Sequence, residues 1–332
     1  MRWKNCQNIV NTIGTSNENI LRYHKNTIVF NNSILDWSYI LAVLAGHIMR
    51  GMSGYTQLNW RGERLSYYSQ LFNYVEIDMT FYQIPDESIV KSWAMRTPNN
   101  FRFTAKFPKV ITHDKRFSGV EKELNNFYEA MVPLRDKLLA LLIQFPPSFE
   151  ITEGLESLKN FDFFFDLEFR YAIEVRHPSW FNDLAYSFFK DNGICMVWSQ
   201  MDRVRTPPVI TSDFVYLRLI GDRSIPEDQL GRLQRNRIDE MQRWAMEIKN
   251  IEKYEKDVKM ALISANNHYA GFGPGTVNQF RELLELPELP LDEVKDYVPI
   301  TNKGDYSQDT LSKMSDKAIK TKQASISDFF TN

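Results

Sequence analysis

Charged side chains stand at the ends of several apolar segments in this sequence. Glu76 lies in YVEID, Lys106 ends FRFTAK and Glu174 lies in YAIEVR. If these segments are parallel strands, their carboxyl ends meet at one edge and gather such side chains around a common mouth. Carboxylates there can transfer protons, and Lys or Arg can hold an anionic group such as a phosphate. The candidate catalytic residues at such positions are Glu76, Lys106, Glu174, Arg176, His177, Asp202, Arg218, Asn266 and Asn267.

Aromatic side chains flank the same segments. A flat ring beside a cation suits stacking against bases or sugars, although any one ring could simply pack beneath a loop. Salt-bridged pairs that only stabilise the fold are the plainer explanation for the charged groups, but seven segment ends share the pattern. The candidate substrate-binding residues are Tyr55, Trp60, Tyr82, His113, Gln144 and Trp180.

The same residues leave open whether a divalent metal takes part. Histidines and carboxylates at the segment ends could hold one or two ions that activate water, although their spacing matches no metal signature. A metal-free site fits equally well, with Lys106, Arg176 and Arg218 on an anion and Glu76 or Glu174 as proton acceptor. The potential metal ligands are His113, His177, His268, Glu76, Glu174 and Asp202.

From about residue 45 the chain alternates apolar segments with segments of helical period. Near-continuous apolar runs are typical of strands buried on both faces of a parallel sheet. The strand candidates are residues 47–54, 74–78, 101–106, 139–145, 171–176, 194–198, 214–219 and 258–264. The helix candidates include residues 86–97, 119–137, 180–192, 233–252 and 274–286. Eight such units predict a (β/α)₈ TIM-type barrel, an α/β fold, rather than a doubly wound sheet, because no GxGxxG follows the first strand.

Composition describes a folded, non-membrane protein. The 332 residues are 43% hydrophobic and 25% charged, with a net charge of -2 that gives no whole-molecule attraction to nucleic acid. Cys6 and Cys195 form no disulfide framework, as is typical of a reducing cytosol. No run of 18 or more apolar residues occurs, so we expect a cytoplasmic protein that does not enter a membrane.

Several longer motifs resemble a known family. GMSGYTQLNWRG, FNYVEIDMTFYQIP, FRFTAKFPKVITH, LIQFPPSF, IEVRHPSW, VYLRLIG and ANNHYAG occur in this order between about residues 51 and 284. They resemble the YecE-like barrels, domain of unknown function 72, although Met52 stands where that family usually has Thr or Cys. The resemblance implies a TIM-type barrel but no established activity. The likeness of such barrels to the endonuclease IV group implies DNA repair only by analogy.

The C-terminus carries a second motif. QASISDFF places Gln323, Ile326, Phe329 and Phe330 at positions one, four, seven and eight. This spacing resembles the PIP box that binds the sliding clamp PCNA, in which a short 3₁₀ turn presents an apolar plug to a groove. A PCNA partner implies an archaeal or eukaryotic cell, and the compact cytosolic barrel favours an archaeon.

These features divide the chain into four regions. We predict an N-terminal extension of uncertain status at 1–44, the barrel at 45–290, a flexible linker at 291–322 and the clamp-binding peptide at 323–330. The leading hypothesis is a clamp-associated, DNA-processing protein such as a repair-type nuclease. A non-catalytic DNA-binding or adaptor module is the first alternative. A small-molecule enzyme of the sugar-phosphate type, with an incidental tail, is the second.

Overall fold

The fold is a mixed α/β arrangement of parallel strands and helices. The computed structural model describes residues 40–43, 64–161, 165–166 and 168–291. Short strands alternate with helices along these residues, as expected for βα units. The strands are β1 (Ile40–Val43), β2 (Tyr74–Ile77), β3 (Arg102–Lys106), β4 (Leu138–Gln144), β5 (Tyr171–Glu174), β6 (Cys195–Met196), β7 (Trp198–Met201), β8 (Phe214–Gly221) and β9 (Met260–Ala265).

The strands form two sheets. One has four strands in the order β1-β9-β8-β7, and the other has five in the order β2-β3-β4-β5-β6. Every pairing between these strands is parallel. Only Val197 separates β6 from β7, so the chain passes from one sheet to the other within a single residue.

Helices cover the strands because each carries an apolar stripe at helical spacing. In Ile238–Tyr254, for example, Met241, Trp244, Ile248 and Ile251 are buried at intervals of three or four residues. The helices are Arg64–Leu71, Met79–Tyr82, Glu87–Met95, Glu121–Met131, Ile151–Phe161, Asp183–Asp191, Ile238–Tyr254, Asn267–Ala270 and Gly273–Leu283. A short π-helix, Val110–Asp114, and 3₁₀ turns at Val132–Lys137, Pro178–Trp180 and Glu227–Gln229 lie between them. None of the helices in the described ranges is long and apolar enough to cross a membrane.

Side chains on the two faces of the strands enter two different cores. One core contains alternate strand residues such as Val75, Ile77 and Leu217 together with the apolar stripes of the helices. The other is a smaller inner cluster, to which both sheets contribute. The strands are therefore buried on both faces, which explains their near-continuous apolar sequences. The inner cluster contains Tyr74, Leu139, Ala140, Leu142, Ala172, Cys195, Val197, Phe214, Tyr216 and Leu262.

Most strand predictions are confirmed, one is corrected and one is not tested. The first described strand is β1 at Ile40–Val43, inside the segment predicted to be an extension, whereas the predicted strand at 47–54 lies outside the described residues. The predicted strand at 194–198 is two strands, because the chain changes sheets at Val197. The parallel α/β class is confirmed, and closure into a barrel stays a prediction. The clamp peptide at 323–330 lies outside the described residues.

Candidate active site

A buried arginine joins the two sheets at the carboxyl ends of their strands. Arg218 of β8 donates from Nε to Glu76 Oε2 at 2.9 Å and from Nη2 to Glu76 Oε1 at 2.6 Å. Its Nη1 also donates to Glu174 Oε2. Glu76 and Glu174 are fully buried, and Arg218 is 3% exposed. One guanidinium thus holds two carboxylates away from water.

The two carboxyl groups differ in proton affinity. Burial raises the pKa of Glu76 to about 7, since the opposing charge of Arg218 only partly offsets desolvation and Asp78 adds a negative neighbour. Burial acts in the same direction on Glu174, but Arg218, Arg176 and Lys106 outweigh it and lower the pKa of Glu174 to about 2. Glu76 is therefore the group that can gain or lose a proton near neutral pH, while Glu174 stays ionised.

A chain of buried hydroxyl groups ends on Glu76. The Tyr216 hydroxyl donates to Glu76 Oε2. The Tyr74 hydroxyl oxygen lies 2.7 Å from that of Tyr216 and 2.7 Å from Thr104 Oγ1. Burial raises the pKa of both tyrosines well above the ordinary value, so their hydroxyls keep their protons and serve as donors. This chain holds Glu76 from the inner side.

The outer side of the cluster is cationic. Arg176 donates from Nε to Glu174 Oε1 at 2.6 Å and from Nη2 to Gln144 Oε1 at 2.8 Å. Lys106 Nζ lies 3.7 Å from Asp78 Oδ1. The side chains of Arg176 and Lys106 are 23% and 11% exposed, in contrast to the fully buried glutamates. A solute therefore meets these cations before it meets the glutamates.

His113 and Phe81 lie beside these cations. Lys106 Nζ is 4.2 Å from the centre of the Phe81 ring, and the ring of His113 meets Phe81 edge to face at 5.0 Å. Burial, followed by the charges of Lys106 and Arg176, lowers the pKa of His113 to about 4. His113 is therefore neutral at physiological pH, in a positive potential. It is carried by the π-helix Val110–Asp114, a distortion that often marks functional sites.

Four other predicted catalytic residues have environments different from that of the Arg218 cluster. The His177 imidazole Nδ1 lies 2.9 Å from Ser179 Oγ and caps the turn Pro178–Trp180. Asn266 Oδ1 accepts from the His268 backbone N–H at 2.9 Å, and Asn267 Oδ1 accepts from that of Gly273 at 2.8 Å. Asp202 lies exposed in the bend after β7. Asn266 thus caps the start of the short helix Asn267–Ala270, and Asn267 binds the first residue of the helix Gly273–Leu283, which are structural tasks.

The predicted aromatic residues are scattered. Trp180 is fully buried, donates from Nε1 to the Phe149 carbonyl at 2.8 Å and packs against Gly154, so its ring belongs to the core rather than to a substrate surface. Tyr82 is 63% exposed and contacts Phe81 edge to face. The other two, Tyr55 and Trp60, lie outside the described residues.

The potential metal ligands are not assembled. Within the described ranges, no three His, Cys, Asp or Glu side chains come together in a way that could hold an ion. His177 faces Glu150, with 3.8 Å between Nε2 and Oε1, and Glu76 and Glu174 already share Arg218. Of the six potential ligands, Glu76 and Glu174 are thus engaged in ion pairs, and His177 caps a turn.

The sequence analysis missed the residues that support the cluster from the interior. Tyr74 lies two positions before Glu76, and Tyr216 two positions before Arg218. Alternate residues of a strand share a face, so this spacing of two was the signal that could have found both tyrosines. Asp78, two positions after Glu76, was not among the predicted candidates.

The sequence is similar to those of several known proteins. The family described as "Protein of unknown function DUF72" matches residues 49–297. The UPF0759 protein YunF of Bacillus subtilis is 25% identical over 250 residues, which are 68% of this chain and 87% of the relative. The UPF0759 protein YecE of Escherichia coli K12 is 34% identical over 117 residues, 35% of this chain. The aligned region spans 43% of YecE, less than half of its length.

Solved structures share the fold. A DUF72 family protein of Enterococcus faecalis V583 superposes with a TM-score of 0.60 at 22% identity, covering 75% of this chain and 98% of that one. A DUF72 family protein of Thermotoga maritima MSB8 superposes with a TM-score of 0.57 at 23% identity, covering 74% of this chain and 99% of that one. At these identities the likeness concerns the fold alone.

Proposed function

This chain belongs to the DUF72 family, and we propose that it is an acid–base enzyme whose substrate carries an anionic group such as a phosphate. The site is the cluster at the carboxyl ends of the strands: Glu76, Glu174, Arg218, Arg176, Lys106 and Gln144. The family description assigns no activity. The proposal therefore depends on what these side chains can do.

The observation behind the proposal is the arrangement of charged side chains from the surface inward. Arg176 and Lys106 form the partly exposed outer layer, and Glu76 lies buried behind them. An anion that approaches the cluster meets two cations first, and Arg suits bidentate contact with phosphate or carboxylate oxygens. The substrate bond next to that anion would then be within reach of a carboxyl group that can change protonation state near neutral pH.

The two glutamates take different roles. Glu76, with its pKa raised to about 7, serves as the proton acceptor or donor. Glu174 stays ionised between Arg218 and Arg176 and positions both guanidinium groups. Neutral His113 beside the cations offers a hydrogen bond to the bound anion without adding charge.

A metal-dependent nuclease finds less support than this proposal. Three-metal phosphodiester chemistry needs several histidines and carboxylates on common ions, and the described residues bring no three such ligands together. A phosphodiester stays within the substrate class, since Lys106 and Arg176 hold any phosphate oxygen in the same way. DNA as the source of that phosphate is a separate proposal, carried by the C-terminal peptide.

We also propose that the two sheets close into one barrel. Residues of β1 lie beside β2, which are edge strands of the two sheets, and β6 leads into β7 through one residue. Both sheets share the inner cluster. A crystal structure with β1 hydrogen-bonded to β2 would establish closure, and a solvent-filled gap between these strands would refute it.

Calorimetric titration with inorganic phosphate tests the anion site. We expect saturable binding that Lys106→Met and Arg176→Ala each weaken at least tenfold, because each removes a charge-assisted hydrogen bond. Lys109→Met is the matched control, since Lys109 pairs with Asp114 at 3.3 Å on an exposed part of the same loop. Equal phosphate affinity in all four proteins, or no binding in any, would refute the proposal.

The second candidate function is recruitment by a sliding clamp. The observation that favours it is the spacing of Gln323, Ile326, Phe329 and Phe330 in the sequence. In such peptides the paired aromatic rings dominate binding. Recruitment is independent of the active-site chemistry, and would place the substrate at replicating or repaired DNA.

Titration against the PCNA of the same organism tests this candidate. We expect saturable binding that is lost in Phe329→Ala/Phe330→Ala and kept in Ser325→Ala, which changes a position outside the four defining ones. Absence of binding by the unaltered chain would remove both the clamp and the DNA proposal.

A further inference from the structure

Two serines flank Arg218 on neighbouring strands. The register of the four-stranded sheet pairs Arg218 with Ser199 on β7 and with Ser264 on β9. Register partners in a parallel sheet project to the same face, so both serines face the inner cluster with Arg218. Trp198, next to Ser199, confirms this orientation, because it stacks on Trp244 of a covering helix on the opposite face.

Both serines are buried without a hydrogen-bond partner. Each is fully inaccessible to solvent, and neither hydroxyl is hydrogen-bonded to any of the described residues. Leaving a buried hydroxyl unpaired is unfavourable, and buried polar groups in native proteins nearly always have a partner. An alanine would fill either position without that penalty. Two such hydroxyls on either side of one arginine therefore indicate a partner that the chain itself does not supply.

The other hydroxyl groups of the interior show the contrast. Tyr74, Thr104 and Tyr216 satisfy one another and Glu76. Arg218 directs its hydrogen bonds at Glu76 and Glu174, and none of them goes to either serine. Among the described residues, the hydroxyls of Ser199 and Ser264 are therefore left unsatisfied.

We infer that Ser199 and Ser264 form a hydroxyl subsite for the uncharged, oxygen-rich part of the substrate. The inference rests on the proposed function, in which Lys106 and Arg176 hold the anionic group. A serine hydroxyl both donates and accepts, which matches the hydroxyls of a sugar or polyol. The charge of Arg218 between them is already neutralised by two carboxylates, so this end of the cluster favours a neutral group. The substrate class is a polyhydroxylated phosphate of the sugar-phosphate type.

Calorimetric titration with D-ribose 5-phosphate and D-glucose 6-phosphate, beside inorganic phosphate, tests this subsite. At least one sugar phosphate should bind about tenfold more tightly than phosphate, the gain expected from one or two neutral hydrogen bonds. In Ser199→Ala/Ser264→Ala that gain should disappear while phosphate affinity is unchanged. Ser157→Ala is the matched control, because Ser157 is a partly exposed helix residue that donates to Glu153 O.

The outcomes separate this inference from the proposed function. Failure of phosphate to bind the unaltered protein refutes the anion site and the subsite together. Phosphate binding that Lys106→Met abolishes, with sugar phosphates no tighter, refutes the subsite alone. The subsite is also refuted if the double alanine variant keeps the full sugar-phosphate gain. A crystal of the sugar-phosphate complex in which ordered waters still occupy both serine hydroxyls would do the same.

Discussion

Arg218 donates two hydrogen bonds to Glu76, at 2.9 Å from Nε and 2.6 Å from Nη2, although the two residues belong to different sheets. The same guanidinium donates to Glu174 on a third strand. Its two partners nevertheless differ, since the pKa of Glu76 is raised to about 7 and that of Glu174 is lowered to about 2. The predictions for Arg218, Glu76 and Tyr216 depend on this single cation and the two unequal carboxylates that share it.

Replacing Arg218 should destabilise the fold strongly. Arg218→Met leaves Glu76 buried without its counterion and Glu174 with Arg176 alone. Removing one partner of a buried ion pair typically costs about 3–5 kcal/mol in the free energy of unfolding. Denaturant unfolding at pH 8 measures this loss. Arg135→Met is the control, because its pair with Glu168 is roughly half exposed and should contribute less than about 1 kcal/mol. Equal losses in the two variants would show that the Arg218 pair adds no more than a surface pair.

The ionisation of Glu76 should make the protein less stable as pH rises from about 5 to 8. The pKa of Glu76 is about 7 in the folded protein, above the ordinary value of 4.5 for a glutamate. The stabilisation that this difference provides is therefore fully present below pH 4.5 and is lost as pH rises through 7. A shift of this size corresponds to roughly 3 kcal/mol at about 1.4 kcal/mol per pKa unit. Glu76→Gln should remove this part of the pH dependence in denaturant unfolding. An unchanged slope in Glu76→Gln would contradict the assignment.

Tyr216 should lower the pKa of Glu76 through its hydrogen bond. Tyr216→Phe removes that donor to the carboxylate. The pKa of Glu76 should therefore rise by about one to two units, since one hydrogen bond to a charged group contributes about 1.5–3 kcal/mol. Carbon-13 NMR of labelled glutamate measures the pKa, with Glu76→Gln to assign the signal. Tyr128→Phe is the control, because Tyr128 bonds Tyr171 away from the cluster. A Glu76 pKa that is equal in both phenylalanine variants would exclude this role.

Gly221 should tolerate no side chain. It ends β8 with φ of +78°, and an added Cβ would meet the carbonyl oxygen of His268. Gly221→Ala should therefore lower the free energy of unfolding by more than about 2 kcal/mol, combining backbone strain with a steric clash. Gly193→Ala is the matched control, since Gly193 has φ of +64° but open space around its Cα, and should cost only about 1 kcal/mol. Thermal unfolding of the two variants compares the cost of backbone strain alone, in Gly193→Ala, with the cost of strain plus a steric clash, in Gly221→Ala.

The sequence predicted the central strands because of one strong physical signal. Strands buried on both faces are almost wholly apolar, so a charge inside such a segment, as in FVYLRL, is conspicuous and must be paired. That reasoning found Glu76, Lys106, Glu174 and Arg218, which the structure brings together. It did not include Ile40–Val43, because residues 34–49 are apolar over more than one strand length and composition alone does not say which part pairs with β9.

Position after a strand proved less informative than position within one. Three other predicted residues follow a strand as Arg176 does, namely Asn266, Asn267 and His177. Their side chains nevertheless cap backbone N–H groups of the next turn. A loop that starts a helix requires such caps whether or not it lines a site. Ser199 and Ser264 escaped notice for the opposite reason. A serine in an apolar strand carries no charge, and its significance appears only when the register places it beside Arg218.

The separation of Glu76 and Glu174 from Arg218 constrains the order of folding. Both glutamates belong to the five-stranded sheet, and their shared counterion lies on β8 of the other sheet. A chain that has emerged from the ribosome only as far as β6 would have to bury Glu76 without its cation, and Glu174 with Arg176 but without Arg218. The first sheet is therefore expected to stay loosely packed during synthesis until β8 arrives, so that the two sheets consolidate in one cooperative step rather than one after the other.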